Sequence, residues 1–131
     1  MRVIMDTKTY TIGEIVMRKG EKAVNACRIV EGSAHVYLDK DEKIVTLANL
    51  REGAIFGEMA LLQNRITNAN IQAGEHGLTV ELITKQDLAE RLEQSDPLIG
   101  QILKSVVHRL DTVNEALLKS ETREFIEVDL I

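Results

Sequence analysis

A chain of 131 residues suits one domain with one core. Hydrophobic residues make up 44% of it and aromatics only 3%, so the interior has to be built from aliphatic packing. A formal net charge of −5 argues against a nucleic-acid or anionic-membrane surface, both of which favour clustered Lys and Arg.

The start, Met1-Arg2-Val3-Ile4-Met5-Asp6, has no sustained apolar run before its first acidic residue and does not read as a secretory signal. No apolar stretch approaches the ~20 residues of a membrane span. The single cysteine, Cys27, excludes an internal disulfide and reads as a small buried hydrophobe in a strand. The expectation is a cytoplasmic protein without a membrane segment, with residues 1–131 forming one domain.

From about residue 10 to residue 83 the chain shows short apolar or alternating runs separated by Gly, Asn, Asp and Lys. Ile15-Val16-Met17, Ala26 to Gly32, Ala34 to Leu38, Lys43 to Leu50 and Leu78 to Ile83 are the clearest. Runs of about four to eight residues at such spacing predict antiparallel strands in a sandwich or barrel. Gly13, Gly20, Gly32, Gly53 and Gly57 punctuate them as turns, and Asp39-Lys40-Asp41-Glu42 reads as a charged hairpin tip.

Between the strands lies Phe56-Gly57-Glu58-Met59-Ala60-Leu61-Leu62. A Gly-Glu step opening a short apolar turn can serve a phosphorylated sugar. The glycine permits close backbone approach, first-turn N–H groups lack an intrahelical acceptor, and a carboxylate can accept from a hydroxyl. The run resembles the phosphate-binding cassette of the cyclic nucleotide-binding domain family, and with the ordered glycines the resemblance covers roughly residues 10 to 120. It implies an antiparallel β-roll (a double-stranded jelly roll) followed by C-terminal helices, and a site for cAMP or cGMP. In that site Glu58 holds the ribose 2′-hydroxyl, Gly57, Met59 and Ala60 act through the backbone, and Phe56, Asn68 and Ala69 complete the cassette.

The resemblance has one departure. The family's phosphate-binding arginine comes eleven residues after the cassette phenylalanine, where this chain has Thr67, and the proline before it is Ile66. Ala69 keeps the small residue that follows. Losing an arginine–phosphate contact removes roughly 1.5–3 kcal/mol, about ten- to a hundred-fold in affinity. Thr67 offers one hydroxyl in partial compensation. Arg65, two residues earlier, either reaches the phosphate from the same side of an extended segment or stays in solvent, the second being the expectation.

The pattern changes at residue 84. Thr84 with Asp87 reads as a helix N-cap with an acid three places on, opening a helix over about 84–94. Asp96-Pro97 opens a second over about 96–121. There Ile99, Leu103, Val106, Leu110, Val113 and Leu117 form a heptad seam of about two and a half repeats, which Ile102 and Val107 widen. The wide face predicts packing on the β-roll and on a second copy, a homodimer through the C-terminal helix, as the resemblance also implies. Eleven residues follow Ser120, so the expectation is a lone sensor domain without a helix-turn-helix and without direct DNA binding.

His35, His76 and His108 have no ligand spacing, and no nucleophile–base constellation or paired carboxylates appear; no metal, cofactor or catalysis is expected. The sequence thus supports a regulatory module taking a cyclic nucleotide. A degenerate interaction or assembly domain without nucleotide is the alternative, and Thr67 favours it.

Overall fold

A computed structural model describes residues 5–118, with the backbone alone for Asp111 and for residues 113–118. Chain order is β1 (Thr7–Tyr10), β2 (Ile15–Met17), β3 (Asn25–Lys40), β4 (Lys43–Leu50), β5 (Ile55–Phe56), α1 (Glu58–Leu62), β6 (Asn70–Thr84), α2 (Lys85–Gln94) and α3 (Pro97–Leu118). All strand pairings are antiparallel. The sheet runs β1-β6-β3-β4, with β2 also on β6 and β5 also on β3. The mainly-β roll with C-terminal helices is therefore the architecture, and its first strand begins ahead of residue 10.

The two runs on either side of Gly32 form one strand. β3 pairs with β6 from Asn25↔Thr84 to Tyr37↔Asn70, with register shifts between Ile29 and Glu31 and between Gly32 and Ala34. Such irregularities bend a strand and raise its twist, letting two long strands wrap into a roll. Gly32 is thus a mid-strand bend and not a turn. Gly13, Gly20 and Gly53 do sit in turns, and the hairpin tip is Asp41-Glu42, both left-handed with φ 53° and 64°. That conformation matches the two-residue turn whose twist suits flanking strands.

The roll closes on a small aliphatic core in which Phe56, Ile29, Val36 and Val80 are the largest fully buried side chains. Each stabilises by about 1.5–3 kcal/mol through removal from water. Cys27 is buried among them, and burial pushes its thiol up to about 11. Phe56 pairs opposite Cys27 at the end of β5, so the segment entering α1 is pinned to the core.

Thr84 caps α2 as the spacing predicts: Asp87 N–H donates to Thr84 Oγ1 at 3.0 Å and Thr84 N–H to Asp87 Oδ2 at 3.1 Å. Asp96 Oδ1 accepts from Leu98 N–H at 2.8 Å at the start of α3. α3 packs chiefly on α2. Leu103 and Val107 are half-buried, whereas Leu98, Ile99, Ile102, Val106 and Leu110 stay exposed. Much of the seam expected to lie on the β-roll is thus uncovered within the chain. The side chains of Val113 and Leu117, and residues 119–121 of the expected helix, lie outside the described residues. Among the described residues no helix is long and apolar enough to cross a membrane.

Candidate functional site

The site is built on α1. Gly57 stands before it with φ 79°, a left-handed conformation that glycine adopts without strain. A Cβ at Gly57 would lie 2.9 Å from Met17 Cε, so the methionine methyl fills the space the missing side chain leaves. Met59, Ala60 and Leu61 are buried. Gln63 N–H bonds to Met59 O at 2.9 Å and Arg65 N–H to Ala60 O at 2.9 Å, closing the turn.

Glu58 is half-buried, and its Oε2 is sealed from solvent without a hydrogen-bond partner. Burial raises its carboxyl pKa above the ordinary 4.5. A desolvated acceptor of this kind gains from a donor brought to it. Both side-chain polar atoms of Gln63 are likewise buried without a partner. No motif or periodicity in the sequence marks Gln63, since it follows the apolar run as an ordinary polar residue.

Thr67 is buried, with 8% of its surface exposed, and tied to the loop after β2. Its hydroxyl donates to Arg18 O at 2.7 Å, its N–H to Glu21 O at 2.8 Å, and its carbonyl accepts from Gly20 N–H at 2.9 Å. A threonine hydroxyl has one proton, and here Arg18 takes it. The expected compensating donor for a phosphate is therefore committed elsewhere. Arg65 is half-buried, with Nε and Nη2 shielded from solvent, so the expectation of a solvent-facing side chain is corrected.

Gly57, Ala60, Thr67, Asn68 and Ala69 come together around a cavity of about 20 Å³, which Met17 and Ile71 complete. Such a volume holds about one water. A cleft of about 210 Å³ shares the Met17 and Thr67 walls and is also lined by Lys8, Tyr10, Lys22, Asn25 and Cys27. A larger concavity, about 870 Å³, lies elsewhere, along residues such as His35, Asn49, Gln72 and His76, and takes no residue from the cassette. Among the described residues no three His, Cys, Asp or Glu side chains converge as metal ligands.

The model of the cyclic nucleotide-binding domain family matches residues 7–95. The chain belongs to the cyclic nucleotide-binding domain family. It is similar to the cAMP-dependent protein kinase type II regulatory subunit of Drosophila melanogaster, 34% identical over 67 residues, covering 51% of this chain and 18% of that protein. It is also similar to the cGMP-dependent protein kinase of Plasmodium berghei, 37% identical over 68 residues, covering 52% of this chain and 8% of that protein. The chain thus spans less than a fifth of these curated relatives. Among solved structures, the EAL enzyme Bd1971 in its half-site-occupied form superposes with a TM-score of 0.78 at 29% identity, over 85% of this chain and 99% of that one.

In this cyclic nucleotide-binding domain the residue at position 67 ties the cassette to its neighbour loop. Thr67→Val keeps the shape and leaves Arg18 O without its donor. The expected result is a loss of about 1–2 kcal/mol in unfolding free energy, read from urea denaturation. A midpoint equal to wild type would mean that the hydroxyl bond contributes nothing to the closed cassette.

Proposed function

We propose that the chain is a regulatory module that takes a cyclic purine nucleotide under the cassette, with Glu58 accepting from the ribose 2′-hydroxyl. The observation that carries this reading is the buried, unpartnered Glu58 Oε2 on a turn whose next three residues are locked in the core. Burying a charged acceptor without a partner is costly, and the ribose 2′-hydroxyl is a donor that removes the cost. The cAMP- and cGMP-dependent relatives support a cyclic nucleotide as its source.

The cavity of about 20 Å³ is far below the roughly 300–1,000 Å³ of ordinary ligand sites. Binding therefore draws on a conformation in which Met17 and the cassette separate. Ligand shifts that equilibrium by its differential affinity for the open and closed forms, and α3 carries the change outward. Amide shifts over residues 57–61, followed during cAMP titration, test this: saturable shifts there support it, and their absence refutes it.

The committed Thr67 hydroxyl and the small cavity favour a second reading, an interaction domain that no longer takes nucleotide. Both readings use α3. The exposed row Ile99, Ile102, Val106 and Leu110 needs cover, and a second copy in a homodimer supplies it by matching stripe to stripe. Light scattering at micromolar concentration should give a dimer mass, and Leu110→Glu should give a monomer. A monomeric wild type, or a dimer that survives the substitution, contradicts this interface.

A further inference from the structure

The family's phosphate arginine is missing, and the residue in its place cannot donate to a ligand without giving up Arg18 O. Position 67 thus supplies no counter-charge for a phosphate, and Arg65 lines neither the cassette cavity nor the cleft beside it. The cleft of about 210 Å³ lies behind Met17 and Thr67, which also wall the cassette cavity. Displacing the flexible Met17 side chain joins the two spaces. Joined, they approach the lower end of ordinary ligand-site volumes, about 300 Å³.

Two cations from different elements line this cleft. Lys8 stands on β1, its ammonium 5.0 Å above the Tyr10 ring, and its charge acts on the Cys27 thiol. Lys22 belongs to the loop after β2 and is paired through its backbone with Ile66, the residue before Thr67. Asn25, at the start of β3, adds a neutral amide donor. Among the described residues Glu21 is the one acidic member of the lining. Cys27 adds no negative charge, because burial holds its thiol protonated. The cleft is thus a locally cationic spot in a chain of net charge −5.

We propose that the phosphate of the ligand sits in this cleft against Lys8 and Lys22, with the ribose toward Glu58 and Met17 displaced from between. The proposal rests on the reading of the cassette as a cyclic nucleotide site. It moves the anion contact from position 67 to two lysines outside the cassette. A lysine is a compact point charge that meets phosphate without the bidentate geometry of arginine. The site therefore selects charge over the shape of the phosphate, and a phosphate ester in general is the class it takes.

The test compares cAMP, adenosine and inorganic phosphate on the full chain and on a Lys8→Gln, Lys22→Gln double variant. Both lysines are exposed, so the variant should keep the fold, which its amide spectrum verifies. The double variant is expected to bind cAMP at least ten-fold more weakly than wild type and to bind adenosine unchanged. Losses that are equal for the two ligands, or absent for cAMP, overturn the cleft assignment while leaving the cassette reading standing. If wild type binds no cAMP, the cassette reading fails. Phosphate alone then decides the cleft: shifts of the Lys22 to Asn25 amides that vanish in the double variant uphold it, and no shifts overturn it.

Discussion

Glu58→Ala is expected to weaken cyclic nucleotide binding by about ten- to a hundred-fold, the roughly 1.5–3 kcal/mol of a hydrogen bond to a charged group. The same change should leave the unliganded fold at least as stable, because it removes a buried acceptor that has no partner. Both halves follow from one observation, that Glu58 Oε2 is shielded from solvent and the protein provides it no donor. Unchanged affinity, measured by calorimetry in the variant, contradicts the assignment.

Glu58→Gln adds a pH dependence. Burial lifts the folded carboxyl above 4.5, so the folded chain holds this proton more tightly than the unfolded chain. Below about 4.5 both states are protonated and the protonated carboxyl is stabilised in full. As pH rises from 4.5 through the raised folded value, the unfolded state ionises first and wild-type stability falls. Glutamine has no such step, so the variant's stability relative to wild type should rise across that window and then level off. A difference independent of pH would show that the carboxyl is not desolvated in the fold.

Gly32→Ala is expected to be the most damaging of the small substitutions. Gly32 has φ 88°, which costs any L-residue about 1–2 kcal/mol. A Cβ there would also collide with Gly77 O and stand 2.8 Å from Gly77 C, backbone atoms of the neighbouring strand. One of the two strands must shift. Together with the strain this amounts to on the order of 3–5 kcal/mol, a large part of the stability of a small domain. Gly53→Ala is the control, since Gly53 has φ 89° and a Cβ there would meet nothing within 4 Å. It should lose only the conformational part, about 1–2 kcal/mol. Equal losses at the two positions, measured by urea denaturation, would mean that close packing of β3 on β6 adds nothing.

The parts legible in the sequence were those set by neighbouring residues. The Thr84 and Asp87 cap, the proline start at Pro97 and the Phe56 to Leu62 cassette are all local patterns, and each folds as its residue types require. The bend at Gly32 was not legible, because its reason is the approach of Gly77 from another strand. Thr67 shows the same limit. Its place in the cassette could be read by counting from Phe56, but its hydroxyl partner, Arg18 O, is 49 residues away in sequence. Gln63 and the two lysines of the cleft gave no signal, since burial and shared walls exist only once the chain is folded. The seam on α3 was visible as a period, yet which of its residues the β-roll and α2 would cover was not.

Calorimetric titration of the wild-type chain with cAMP and with cGMP tests the central claim most directly. A single saturable site for at least one of them, weakened in Glu58→Ala, is the predicted result. No binding of either nucleotide by a folded chain would contradict it and leave this member of the family as an interaction domain.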